Sequence, residues 1–348
     1  MKPLVSLREA LEDDRLLGRA IPGDSWKAWR VVLLAAMGEP LKADELEIFQ
    51  RLTDRTTAPT EPAEEVTAVV GRRSGKTRAL ALCSTYLATL IDYSEVLAPG
   101  ERGIALLVGP DQRQAKIALG YASGFINQSP LLSERVIGRT ADTIALNNGV
   151  DLEVRAASFR RLRGVTACCG LLDEAAYLAT DEQAANPDVE IAGSLRPALA
   201  TTRGPLIIAS SPYRKQGELW NNFTRHFGQD DDPVLVVKGE TRIFNPSLSP
   251  QVIERALERD PVAARAEYLA EFRDDISGYV TQEAIAACVD QVSESALHSH
   301  STGTLASLTR PQEAGRIVCV PRSGIGKKTL LLLMRSANGV HHSRQWKL

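Results

Sequence analysis

No stretch of this 348-residue chain comes near the roughly 18 consecutive apolar residues of a membrane-spanning helix, so nothing in it reads as crossing a bilayer. The N-terminus, from Met1-Lys2-Pro3, soon turns acidic and lacks the apolar centre of a secretory leader. Cysteine is sparse: Cys83, Cys168, Cys169, Cys288 and Cys319 are scattered, without a CxxC spacing that would suggest zinc. They read as reduced thiols acting as small core hydrophobes. Charge of one sign is also lacking. The net charge is −2, made of +6 over residues 291–348 and −8 over residues 1–290. The main body is no bulk polycation, so any contact with nucleic acid needs a local basic surface. Carboxylates run out late in the chain: beyond Asp290 only Glu294 and Glu313 remain. A metal-pair nuclease needs several converging carboxylates, and none is expected there. There is no internal repeat.

What is present is an ordinary globular balance, 44% apolar and 24% charged, over a length that suggests one large or two ordinary domains. Residues 1–60 read as a helical lead-in, with the apolar run Val31–Ala36 followed by Leu41, Leu46, Ile48 and Phe49. Trp26 and Trp29 fall on one face if helical, either packing into a core or meeting a partner. A Pro- and Glu-rich connector, residues 56–65, comes next. Val66–Val70 is β-branched and apolar like a buried parallel strand, and residues 78–92 have helical spacing. Further strands are expected at 104–108, 168–172, 205–210 and 234–237, with a helix over 112–126. Asn147-Asn148-Gly149 predicts a hairpin turn between 143–146 and 150–156. The pattern turns helical again from about residue 250. Alternating strands and helices imply an α/β fold with a mainly parallel central sheet flanked by helices.

Between the first strand and its helix stands Gly71-Arg72-Arg73-Ser74-Gly75-Lys76-Thr77. A phosphate-binding loop needs small residues that let backbone N–H groups turn toward oxygens. It also needs a lysine for the phosphates, a hydroxyl for Mg²⁺ and a helix N-terminus behind it. Gly75, Lys76 and Thr77 supply these parts. The general pattern places its first glycine where Val70 stands. A second signal is Cys168-Cys169-Gly170-Leu171-Leu172-Asp173-Glu174, an apolar strand lifting two carboxylates to the sheet edge. There Asp173 can hold the Mg²⁺ shell and Glu174 can orient the attacking water; the bland alternative is a solvated loop. The third is Ile207-Ile208-Ala209-Ser210-Ser211-Pro212, a strand whose terminal hydroxyls either sense the γ-phosphate or merely start a Ser-Pro turn.

Taken in order, several segments resemble the phage large terminase family. They are the loop GRRSGKT, LLVGPDQRQAK, LRGVTACCGLLDEAAYL, IIASSPYRKQGELW and the run TRIFNPSLSPQVIERALERDPVAARAEYLAEFRDD, together spanning roughly residues 45–285. The resemblance implies a P-loop ATPase core over 61–245, a helical linker over 246–290 toward a nuclease, and ATP and Mg²⁺ as ligands. Lys76 and Thr77 would bind phosphate and Mg²⁺, with Asp173 the metal carboxylate and Glu174 the catalytic one. Arg72 matches the family's loop arginine, which acts on the γ-phosphate; for Arg72 or Arg73 a surface salt bridge is the alternative. Ser210 and Ser211 would occupy the coupling position. Implied partners are double-stranded DNA, a small terminase subunit and a portal, with subunits in a ring in the bacterial host cytoplasm.

Residues 291–348 depart from that resemblance. Arg316–Val320 is placed like a nuclease first strand, but Pro321 and Arg322 follow where an acid is wanted. An irregular tail, truncated or frame-altered in place of a nuclease, is expected there. Ser323–Thr329 superficially repeats a phosphate loop, with Lys328 at the hydroxyl position. His298 with His300, or His341 with His342, could bind metal or simply be solvated. The functional expectation is an ATP-driven DNA translocase of viral genome packaging. The rivals are an inactive or regulatory remnant that binds nucleotide and a helicase-like P-loop ATPase.

Overall fold

The computed structural model describes residues 2–157, 164–178 and 187–274, together with the backbone of 329–335 and 341–347. Two compact units divide the chain, Met1–Ser277 and Gly278–Leu348. In the second, strands Thr329–Arg335 and His341–Lys347 pair antiparallel. The repeated loop motif at 323–328, His298, His300, Glu294, Glu313, Cys288, Cys319 and residues 316–322 lie outside the described residues, as do the side chains of His341 and His342.

The first unit begins with the short strand β1 (Lys2–Pro3) and three helices, α1 (Leu7–Glu12), α2 (Lys27–Ala36) and α3 (Ala43–Thr53). Ser6 and Glu9 form a capping box that satisfies the free N–H groups at the start of α1. The apolar run predicted at 31–36 lies within α2 and is wholly buried. Trp29 is fully buried in the core, whereas Trp26, in the turn before α2, is half-buried.

The sheet then alternates with helices: β2 (Glu65–Val70), α4 (Lys76–Thr89), β3 (Ile91–Asp92), β4 (Gly103–Gly109), α5 (Gln112–Gln128) and α6 (Pro130–Ser133). Next come β5 (Val136–Arg139), β6 (Thr143–Leu146), β7 (Val150–Ala156), β8 (Ala167–Asp173) and α7 (Pro187–Leu199). The series ends with β9 (Leu206–Ser210), α8 (Glu218–His226), β10 (Val234–Gly239), α9 (Thr241–Phe244), α10 (Pro250–Arg259) and α11 (Pro261–Leu269). The eight-stranded sheet runs β10-β2-β9-β8-β4-β7-β6-β5. Every pairing from β10 to β7 is parallel, and β6 and β5 add antiparallel strands. The predicted turn is there, with Gly149 at φ 80°, a conformation that favours glycine. The connection β4 to β7 contains an unpredicted strand, β5, whose Ile137 is exposed.

Helices cover both faces, so the central parallel strands β2, β9, β8 and β4 are buried almost from end to end, whereas β7 alternates buried and partly exposed residues. The side-chain period of two divides them. Ala68, Ala105, Leu107, Leu171 and Ile207 join a core with the lead-in helices, α4 and α5. Val69, Leu106, Leu172 and Ile208 face the other way, against Ile191, Leu195 and Leu219 of α7 and α8. Cys83, Cys168 and Cys169 are buried free thiols, and burial pushes each upward, Cys169 to about 12. No described helix is long and apolar enough to cross a membrane.

Candidate functional site

The sheet order brings the three sequence signals to one edge. β2 ends at the glycine loop, β8 ends at Asp173, and β9 lies between them and ends at Ser210. The C-terminal edge of a parallel sheet is where ligands of such folds bind. Helix α4 packs on β8, and its first two residues, Lys76 and Thr77, meet the carboxylates that follow that strand's apolar run. The Thr77 hydroxyl donates to Asp173 Oδ2 at 2.6 Å, across 96 residues of sequence. Lys76 Nζ lies 2.9 Å from Glu174 Oε1, with the lysine side chain 6% exposed and the glutamate 30%.

The loop has the backbone geometry its motif requires. Gly75 has φ 83° and Arg73 φ 65°, both left-handed. Alternation of this kind turns successive N–H groups into an anion-binding concavity. A side chain at Gly75 would also strike the Trp26 ring, 2.8 Å from the built Cβ. Val70, where the general pattern has glycine, is the last buried residue of β2, and the close approach falls one residue later. A Cβ on Gly71 would overlap Thr241 Oγ1 and lie 2.7 Å from the carbonyl oxygen of Tyr268.

Asp173 is 8% exposed. Burial, then the adjacent Glu174 charge, push its carboxyl above the usual aspartate range, while Lys76 and the Thr77 hydrogen bond pull it back. Its Oδ1 accepts the Glu174 N–H at 3.0 Å. Glu174 itself sits at φ 53°, ψ 43°, a left-handed conformation that is costly for a non-glycine residue. That turn directs the chain away from β8 immediately after the two acids. Ser210 Oγ lies 3.4 Å from Glu174 Oε2, a long contact, and donates to the Ser211 carbonyl at 2.9 Å. The hydroxyls of Ser74 and Ser211 are buried without a hydrogen-bond partner.

A cleft of about 300 Å³ opens over this edge. Arg72, Glu174 and Ser211 line it, as do Asp111, Gln114 and Tyr177, which the sequence signals did not single out. Asp111 caps α5 by accepting the Gln114 N–H at 2.8 Å. Burial, then the Glu174 charge, push the Tyr177 hydroxyl up to about 12. Arg72 is exposed at the rim, where its guanidinium pairs with Glu267 at 2.9 Å. The surface salt bridge weighed for Arg72 is therefore present, and the same side chain borders the cleft.

Chemically, the glycine loop offers a lysine and a helix N-terminus for an anion, with Asp173 and Glu174 beside them, and of these side chains Glu174 lines the cleft. Thr77 Oγ1 and Asp173 Oδ2 form a hard oxygen pair of the type that suits a small divalent cation. Among the described residues no cluster of three His, Cys, Asp or Glu side chains forms a metal site, so any ion here would depend on that pair and on its ligand's oxygens.

No protein-family model matches the chain, and no curated protein matches its sequence. Solved structures do. A mutant ATPase domain of the Thermus phage P74-26 large terminase aligns at 18% identity and TM-score 0.48, over 69% of this chain and 97% of that one. The HK97 bacteriophage large terminase aligns at 15% identity and TM-score 0.48, over 92% and 67%. The large terminase of a thermophilic bacteriophage aligns at 15% identity and TM-score 0.49, over 94% and 69%.

Proposed function

We propose that this chain is an ATP-hydrolysing, DNA-translocating motor subunit for packaging a viral genome. The observation that carries the ATPase part is the convergence of the Lys76-Thr77 and Asp173-Glu174 pairs at one sheet edge, from two segments 96 residues apart. The motif series across residues 45–285, which resembles large terminases, carries the packaging part.

In this reading the loop amides and Lys76 bind the β- and γ-phosphates of ATP. The residues present fit Mg²⁺: Thr77 and Asp173 offer hard oxygens, and Asp173 is a buried carboxylate beside a like charge. Thr77 and Asp173 would hold the ion, which when bound neutralises charge on the phosphate oxygens. Lys76 leaves Glu174 for the phosphates, and the released carboxylate orients a water in line and accepts its proton. Arg72, on the cleft rim, turns from Glu267 to the γ-phosphate, where its charge offsets what develops on the transferring group. Ser210 and Ser211, between the loop strand and the acid strand, register the loss of that group.

The remaining assignments follow from the same reading: double-stranded DNA as track, a portal and small terminase subunit as partners, a ring of subunits, and the host cytoplasm as the place of work. The test is ATP hydrolysis with and without double-stranded DNA. Stimulation by DNA is expected. Hydrolysis indifferent to DNA, in a chain that also fails to bind DNA at low salt, would overturn the motor reading and leave an ATPase of another kind.

A further inference from the structure

Three consecutive carbonyls of the phosphate loop are each tied to a side-chain donor from a distant part of the chain. The Arg72 carbonyl accepts from Thr241 Oγ1 at 2.8 Å. The Arg73 carbonyl accepts from Asn245 Nδ2 at 2.8 Å. The Ser74 carbonyl accepts from Trp29 Nε1 at 2.7 Å. We infer that Trp29, Thr241 and Asn245 are positioning residues that hold the loop in its anion-binding shape by fixing these carbonyls. The inference rests on the reading that the loop binds nucleotide phosphates.

A trans peptide is planar, so each C=O points opposite to the N–H of the following residue. Tying the carbonyls of residues 72, 73 and 74 therefore fixes the N–H directions of Arg73, Ser74 and Gly75. These are amides of the concavity that the left-handed turns at Arg73 and Gly75 create. Arg73 gains nothing from that conformation by itself, since a side chain at positive φ is disfavoured. External bonds on both sides of it keep the loop from relaxing.

The donors are themselves well anchored. Trp29 and Thr241 are fully buried, so neither has water as an alternative partner. The Trp29 ring packs on Phe244 with centroids 4.6 Å apart, and Phe244 precedes Asn245. The lead-in helix α2 and the short helix α9 thus brace each other while gripping the loop from outside. Two backbone bonds extend the brace: the Gly71 N–H donates to the Gly239 carbonyl at 3.2 Å, and the Arg72 N–H to the Glu267 carbonyl. Gly71 is the residue whose missing side chain admits Thr241. None of the three donors belongs to the loop or to the acid strand, yet the loop's readiness for phosphate depends on them.

The test is calorimetric titration of the full chain with ADP and, separately, with inorganic pyrophosphate. Thr241→Val keeps the shape and removes the donor; Trp29→Phe keeps a ring against Phe244 and removes the N–H; Asn245→Ala removes the third. Each is expected to weaken both ligands about fivefold to tenfold, while Thr241→Ser binds like the unsubstituted protein. Melting temperatures of the same samples separate stability from positioning. Affinities within about twofold of the unsubstituted chain, even with lowered melting temperatures, would overturn the inference. So would equal weakening by Thr241→Ser and Thr241→Val. If Trp29→Phe fails to fold, Asn245→Ala, at a partly exposed position, carries the test. Failure of the unsubstituted chain to bind either ligand would overturn the nucleotide reading itself. Binding lost in Lys76→Ala but retained in all three donor variants would overturn only the positioning role.

Discussion

Glu174→Gln separates what the site does in binding from what it does in chemistry. Glu174 is the counter-ion of a nearly buried lysine, with Nζ and Oε1 2.9 Å apart. At an effective dielectric constant of about 20, such a pair attracts by several kcal/mol, and the desolvation of both groups offsets most of it. A net preference of about 1–2 kcal/mol for the paired state is a reasonable magnitude. An incoming phosphate must overcome that preference to recruit Lys76. The glutamine variant removes the competition, so ADP should bind about tenfold more tightly. Hydrolysis should move the opposite way and fall about 10²- to 10⁴-fold, because the variant loses the group that orients water and takes its proton. Calorimetry with ADP and phosphate release from ATP read the two effects independently. Undiminished hydrolysis would refute the role of Glu174, and unchanged ADP affinity would refute the competition for Lys76.

Asp173→Asn tests the cost of keeping an acid ready. Burial and the Glu174 charge raise the folded-state value of Asp173, so its ionised form opposes folding and stability is lost as pH rises through that raised value. At neutral pH the variant should melt higher, and the gain should vanish below the ordinary aspartate range. The same variant should lose Mg²⁺-dependent nucleotide binding; a lower melting temperature at neutral pH would contradict the electrostatic account. Gly71→Ala should destabilise the fold by about 1–3 kcal/mol, because the new Cβ overlaps the buried Thr241 hydroxyl and also meets backbone atoms of Thr241 and Tyr268. A denaturant midpoint equal to the unsubstituted chain's would show that the close approach is not as tight as the contacts imply.

Much of the fold was legible because it rests on local pattern. The buried strands announce themselves as apolar runs, and the predicted strand 66–70 differs from β2 by only one residue. The predicted helix over 78–92 illustrates the usual failure at boundaries. Helix α4 starts at Lys76, because the loop closes directly onto it, and stops at Thr89 so that Ile91–Asp92 can pair with Lys2–Pro3. Strand β5 escaped notice because only alternate residues are partly buried and its Ile137 faces outward. In the site, Lys76, Thr77, Asp173 and Glu174 were readable from two short motifs, each with its own chemistry. Their meeting was not, since it depends on the strand order that inserts β9 between β2 and β8. The donors that hold the loop lay further still from reach. For Trp29 core packing and a partner contact both stood open; it lies in the core, but no local pattern reveals a bond from its indole to Ser74. Thr241 and Asn245 stand in the TRIFNPS stretch that the family resemblance had marked, without any hint that they return to the loop.

The central claim is that the glycine loop and the Asp173-Glu174 strand form one nucleotide-hydrolysing site. It is tested most directly by comparing Mg²⁺-dependent ATP hydrolysis in the unsubstituted chain and in Lys76→Ala. The account predicts hydrolysis that the variant loses, together with its ATP binding, because the variant removes the buried cation the phosphates require. Equal hydrolysis by the two chains, or no ATP binding by either, would contradict it.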